Sequence, residues 1–221
     1  MTPSAAPAVL RFTAETYARL RLYVELCPSE IGGLGEVRPE GEGLLVTELF
    51  LLDQRVSAAE TELQPEALLG LLHRCLDEGR DPAALRLWWH SHAEHGVEWS
   101  DTDEATIRGF GGDSLVSLVT NKAGDLRCRY DTWKPERSTV DGIPVVRPEE
   151  PLGPARAAAL RKATWADMVE KISVVSCVRY PSPIEGQAFE LTFLSRLEES
   201  RQAVNQSPSR SGGAAAPPQV D

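Results

Sequence analysis

The stretch LRLWWHSHAEHGVEWSDTD, residues 85–103, carries three of the four histidines in the chain. His90 and His92 stand two apart at the end of an apolar run. In a strand, residues i and i+2 share a face, so both imidazoles converge on one point and Ser91 is directed away. Asp103 follows His92 by eleven residues. Ser100 and Asp103, three apart, share a face where a helix begins between them. Two imidazoles and one carboxylate suit zinc at about 2.0–2.2 Å, and three protein ligands leave a fourth position for water, which is the pattern of a catalytic site rather than a closed structural one. Zinc lowers the pKa of bound water to about 7, so a hydroxide nucleophile exists at neutral pH. Such hydrolysis also needs a base for the water's proton and a donor for the developing oxyanion. The nearby acids are Glu94, Glu98, Asp101 and Glu104, with Glu30 and Glu36 further back, and residue type alone does not choose among them. Ser100 is a candidate oxyanion donor.

These residues must be held by elements that the pattern predicts in turn. Residues 14–27 read as a helix, with Tyr17, Leu20, Val24 and Cys27 at helical spacing and Thr13 as its cap. Pro28 and the Gly32-Gly33 pair end it. GGLGEV and GLLVTELFLL read as two strands joined by the polar turn RPEGE. Residues 65–79 form a second helix, opened by Pro65 and closed by Gly79. LRLWWH is a short strand apolar enough to be buried on both faces, and SLVSLVTNKAGDLRCRY is a hairpin around NKAGD. The proline-rich segment 133–153 lacks periodicity and reads as a long loop. Residues 154–172 read as a helix with Trp165, Met168, Val169 and Ile172 on one face. The last stretch, 201–221, cannot bury enough apolar surface to offset its chain entropy and is expected to be disordered. Interleaved helices and strands give an α/β fold, a mixed sheet flanked by helices.

Composition narrows the function classes. The 221 residues hold 23 Lys and Arg against 33 Asp and Glu, a net charge of -10. An acidic chain repels phosphate backbones, so nucleic acid is not expected as a partner. No apolar run approaches the roughly 20 residues that span a bilayer, and the N-terminus lacks the form of a signal peptide. A cytoplasmic protein without a membrane partner is the expectation. Cys27, Cys75, Cys128 and Cys177 form no CxxC pair. That argues against a cysteine zinc site and a disulfide scaffold and for buried free thiols.

His90-Ser91-His92, seven residues, then Ser100-Asp101-Thr102-Asp103 is an H-x-H…S-x-x-D pattern, and it resembles the signature of the JAMM (MPN+) zinc metallopeptidases, prokaryotic type. The family also carries an upstream E-x-x-G-L, which Glu30-Ile31-Gly32-Gly33-Leu34 matches. The resemblance covers roughly residues 10–132. It implies an MPN architecture of the cytidine-deaminase-like kind over residues 1–132 as the catalytic domain. The loop 133–153, an extension 154–200 containing the helix, and the tail 201–221 follow it. It implies Zn2+ bound by His90, His92 and Asp103, Glu30 as the residue that holds the catalytic water and shuttles its proton, and Ser100 stabilising the tetrahedral intermediate. The activity implied is hydrolysis of an amide bond at the C-terminal tail of a ubiquitin-like protein or its conjugate, as in deubiquitinases. Members of the family often pair, so a homodimer is also implied.

Plainer roles exist for the same residues. Ser100 and Asp103 also form a capping box for the helix they open. His95 falls outside the pattern and reads as a loop histidine, while His73 lies among leucines in a helix. Trp88, Trp89 and Trp99 read as core or pocket wall. Two competing functions remain open, a non-catalytic MPN scaffold for protein assembly and an amidase of small substrates. A zinc deaminase needs P-C-x-x-C and is excluded because the chain has no CxxC.

Overall fold

In a computed structural model the structure describes residues 6–56, 61–63 and 65–174. Eleven described strands and four α-helices alternate along this part of the chain. Helix α1 (Ala14–Leu26) starts where Thr13 accepts a hydrogen bond from the Thr16 N–H. Strands β2 (Gly32–Glu40) and β3 (Gly43–Leu51) follow as an antiparallel pair. They extend into the residues expected to form their turn, leaving only Gly41 and Glu42 between them. Gly41 supplies the left-handed φ of +57° that this tight connection needs.

Helix α2 (Pro65–Asp77) leads to strand β6 (Leu87–Ser91), which is buried along its whole length. Helix α3 (Asp101–Gly109), the hairpin β7 (Ser114–Thr120) and β8 (Leu126–Thr132), and helix α4 (Pro154–Lys171) complete the frame. These elements agree with the sequence expectations to within a few residues. Short strands at Leu10–Phe12 (β1), Gln54–Val56 (β4), Thr61–Leu63 (β5) and Ile172–Val174 (β11) carry no periodic signal of their own. β11, β4 and β5 make a small separate sheet.

The segment expected to be a loop, 133–153, is partly strand. It contains β9 (Ser138–Asp141) and β10 (Val145–Val146). The main sheet has the order β10-β1-β3-β2-β6-β7-β8-β9, so consecutive strands β9 and β10 lie at its opposite ends. Residues 142–144 separate them, and the four steps from Asp141 to Val145 reach at most about 13–14 Å. The sheet must therefore curl enough to bring the end of β9 near the start of β10, although the two edge strands do not pair. The junction is bonded on both sides: the N–H groups of Gly142 and Ile143 donate to the Cys128 carbonyl at 3.0 Å each, and the Leu10 N–H donates to the Pro144 carbonyl at 2.9 Å. Pairing of β9 with the preceding strand β8 and of β10 with the remote β1, rather than local propensity, makes these residues extended.

Alternation along β6 divides two cores. Trp89 lies completely buried on the side of α1, stacked on Tyr23 with ring centres 5.3 Å apart, and its indole N–H donates to the Leu34 carbonyl at 3.0 Å. Helix α4 covers α1, and the Tyr23 hydroxyl donates to Asp167 at 2.5 Å. Of the four residues expected to face the core on α4, Met168, Val169 and Ile172 are buried and Trp165 is half-buried. On the other face, Trp88 packs with Leu34, Leu71, Cys75, Ile107 and Leu115 beneath α2 and α3. Cys27, Cys75 and Cys128 are free and buried. Cys177 and the tail 201–221 lie outside the described residues. No described helix is long and apolar enough to cross a membrane.

Candidate metal centre

The side chains that could hold a metal come from the end of β6 and the first turn of α3. Trp88 and His90 point to the same face of β6, and their rings stack with centres 4.3 Å apart. His92 follows the strand and extends its register, its N–H donating to the Thr120 carbonyl at 2.9 Å. Asp103 is brought in by a capping box. The Asp103 N–H donates to Ser100 Oγ at 3.1 Å, and the Ser100 N–H donates to Asp103 Oδ2 at 2.8 Å. The box uses the same aspartate that faces the two imidazoles, so the plain role of S-x-x-D is compatible with a chemical one.

The three donor groups meet. His90 Nε2 lies 3.1 Å from His92 Nε2 and 3.0 Å from Asp103 Oδ1, and His92 Nε2 lies 3.1 Å from Asp103 Oδ2. Ligands at about 2.0–2.1 Å from a tetrahedral zinc stand about 3.3–3.4 Å apart, so the triangle needs only slight expansion to hold a metal ion. All three residues are buried, and among the described residues they are the His, Cys, Asp and Glu group placed to bind one.

The tautomer of His92 strengthens this fit. Its Nδ1 faces the Gly96 carbonyl at 2.7 Å, and a carbonyl only accepts, so Nδ1 carries the hydrogen. In the neutral ring, Nε2 then presents a lone pair to the Asp103 carboxylate. Two lone pairs at 3.1 Å repel unless a cation lies between them, either a proton or a metal. The hydrogen bond with Asp103 raises the basicity of His92, and the Gly96 carbonyl and the charge of Glu30 add to this. Burial lowers the basicity of His90 despite the opposing pull of Asp103. Burial also works against the charge of Asp103, yet the bonds from His90, His92 and the Ser100 N–H hold its carboxyl far below the ordinary range.

Glu30 stands at the entry to β2. The next residue, Ile31, is tied to β6 through its N–H to Ser91 Oγ at 3.2 Å and through its carbonyl, which accepts from the Ser91 N–H at 2.8 Å. Gly32 pairs with His90. Ser91, directed away from the two histidines, thus fastens the glutamate-bearing segment to their strand. Glu30 is half-buried, and its charge is felt at His92. The other acids weighed from the sequence have different surroundings. Glu36 is paired with Arg80 at 2.5 Å, Glu94 with Lys122 at 3.0 Å, and Glu104 with the buried Arg129. Glu98 and Asp101 are exposed, as are His73 and His95.

No family model and no curated protein matches the chain. Among solved structures it is similar to the solution structure of protein DSY2949 from Desulfitobacterium hafniense, at 20% identity with a TM-score of 0.46, over 64% of this chain and 94% of that one.

Several contributors have no signal in the sequence pattern. The Gly96 carbonyl is one, since every residue has a carbonyl. Trp99, read from the sequence as core or pocket wall, stands beside the site: its ring lies 6.1 Å from that of His90, and its indole N–H donates to Asp141 on β9 at 3.2 Å. Arg129 binds Asp131 through two bonds of 2.8 and 3.0 Å and also reaches Glu104, which anchors the first turn of α3 to β8. Ala93 adopts a φ of +45°, a left-handed conformation uncommon outside glycine, and this turns the chain back so that Gly96 reaches His92. Ala93 is also buried. Ala93→Val is therefore expected to cost about 2 kcal/mol or more, from β-branching at positive φ together with overpacking. Urea unfolding of the two proteins measures it, and equal midpoints would contradict the strain assigned to this turn.

Proposed function

We propose that the chain is a zinc-dependent hydrolase of amide bonds, of the JAMM type that its motif resembles. The observation that carries this reading is the convergence of His90, His92 and Asp103 with His92 held in the tautomer that leaves Nε2 free to bind a metal. His90, His92 and Asp103 would hold the zinc. Bound there, zinc supplies an acidified water and a Lewis acid for the scissile carbonyl.

The remaining steps fall to the chain itself. Glu30 accepts the proton of the attacking water at its carboxylate and returns it to the departing amine nitrogen as the carbon–nitrogen bond breaks. Ser100 Oγ accepts from the Asp103 N–H, an interaction that leaves its own hydrogen to donate to a developing oxyanion. Trp99 forms an apolar wall beside His90, and such a wall limits water and strengthens each of these interactions. The substrate class we propose is the extended C-terminal tail of a ubiquitin-like protein or its conjugate. An extended tail binds by adding a strand to a sheet edge, and β9 offers an edge strand exposed along its length.

Glu30→Gln keeps the size of the side chain and removes its basicity. Zinc content is expected to stay at the wild-type level while hydrolysis of a ubiquitin-like tail amide falls by about 10²–10⁴-fold. Fluorogenic release from such a tail, measured beside zinc content, checks both halves. Unchanged turnover in Glu30→Gln would remove Glu30 from the reaction. A wild-type protein that binds zinc and a ubiquitin-like protein but cleaves no amide would favour an assembly scaffold.

A further inference from the structure

The turn between β7 and β8 is built into the back of the metal centre. Asn121 is 4% exposed, and all of its amide atoms are used. Its Nδ2 donates to the His95 carbonyl at 3.0 Å and to Asp125 Oδ2 at 3.0 Å, while its Oδ1 accepts from the Asp125 N–H at 2.9 Å. The Lys122 N–H donates to the Ala93 carbonyl at 2.8 Å. The same turn is held from outside by Arg21, whose guanidinium donates to the carbonyls of Asn121 and Lys122 at 2.8 and 3.0 Å.

Residues 93–96 are therefore pinned at two carbonyls. Ala93 is held by a backbone donor and His95 by the Asn121 side chain. The next carbonyl along, that of Gly96, accepts the His92 Nδ1–H. A residue that fixes the His95–Gly96 peptide also fixes where the His92 ring can point. A metal-binding histidine is commonly oriented this way by the acceptor at its other nitrogen, and loss of such support typically costs 10–100-fold in metal affinity.

We propose that Asn121 is a positioning residue for the metal centre, acting through the His95–Gly96 backbone to hold the His92 ring with Nδ1–H on the Gly96 carbonyl. This rests on the metal-binding reading of His92. The chain invests a buried, fully bonded amide at a point where a turn needs only polar residues, and the one bond of that amide that leaves its own turn goes to the site loop.

The decisive variant is Asn121→Asp, which keeps the Oδ1 acceptor for the Asp125 N–H and places an oxygen against the His95 carbonyl. Asn121→Ala removes the contact without adding repulsion, and Asp125→Ala loosens the turn while leaving the bond to His95. Two readouts are taken on full-length protein: zinc affinity by competition with a chelator, and exchange of the His92 Nδ1 proton in metal-free protein by NMR. Asn121→Asp and Asn121→Ala are expected to bind zinc about 10–100-fold more weakly and to exchange that proton at least about tenfold faster, since its bond to Gly96 is loosened. Asp125→Ala is expected to melt lower and keep both readouts near wild type. Folded Asn121 variants with wild-type affinity and exchange would overturn the proposal, as would an Asp125→Ala protein equally impaired in both. If the wild-type protein takes up no zinc, the reading of the site fails, while the proton-exchange comparison still upholds or overturns the role of Asn121.

Discussion

His92→Ala is expected to be purified without zinc under conditions in which the wild-type protein carries about one zinc per chain. The two imidazole nitrogens lie 3.1 Å apart and each lies 3.0–3.1 Å from one of the two Asp103 carboxylate oxygens, so the three side chains form a single small cage. If binding of order 10 kcal/mol is shared among three ligands, losing one costs about 3 kcal/mol or more, a factor above about one hundred. His92 carries more than its share. Its removal also leaves the Gly96 carbonyl without a donor and strips Asp103 of one of its two imidazole partners. Asp103→Ala should lose the metal as well, with an added penalty of about 1 kcal/mol because the capping box of α3 goes with it. Asp103→Asn separates the two effects. It keeps an acceptor for the Ser100 N–H and removes the charge, so metal should be lost while the helix end is largely kept. Elemental analysis of untagged protein beside thermal melting reads both quantities. One zinc retained in His92→Ala would place the metal elsewhere and sink the assignment.

Gly33→Ala is expected to be among the most damaging single-methyl additions in the chain. A Cβ built on Gly33 would lie 2.1 Å from the Phe50 carbonyl oxygen and 3.0 and 3.1 Å from two ring atoms of Trp89. The first neighbour is backbone of the paired strand β3, and the second is a completely buried indole. Neither can move cheaply, so a cost of about 3 kcal/mol is expected, at the upper end for overpacking. The displacement also reaches the site, because Gly33 pairs with Trp89 and Gly32 with His90. Weaker zinc binding should accompany the lost stability. Gly41→Ala is the control. Nothing lies within 4 Å of its Cβ position, and only its φ of +57° is offended, which costs about 1 kcal/mol. Chemical denaturation orders the three proteins. A Gly33→Ala protein within about 0.5 kcal/mol of wild type would mean that β2 is not held as tightly against β3 and β6 as the structure shows. The requirement for glycine here also gives a physical meaning to the glycine in the E-x-x-G-L stretch, since it lets Glu30 approach the histidine strand.

Elements with an internal period were legible from residue order. Residues 14–26, 65–77 and 154–171 show helical spacing or clear start and stop signals, and β6, β7 and β8 show apolar runs bounded by turns. In each case the local pattern and the tertiary environment ask for the same conformation. β9 and β10 were not legible. Their sequence, STVDGIPVV, has no alternation and contains a proline, and both strands are mostly exposed. They are extended because β8 and β1 lie beside them: β9 folds back on β8 as a hairpin, and β10 pairs with β1 from the far end of the chain.

The site divides in the same way. The i, i+2 spacing of His90 and His92 on an apolar strand and the S-x-x-D that opens α3 were determined by the sequence alone, because strand alternation and helix capping are local rules. That Asp103 reaches the two imidazoles, that Ser91 fastens the Glu30 segment to β6, and that Gly96, Asn121 and Arg129 support the cluster were decided only by the tertiary structure. Those contacts join residues 4 to about 60 positions apart through backbone carbonyls, a left-handed turn and an ion pair between β8 and α3. None of these leaves a spacing rule in one dimension, because the partner of each group is chosen by how the sheet curls and where its loops return.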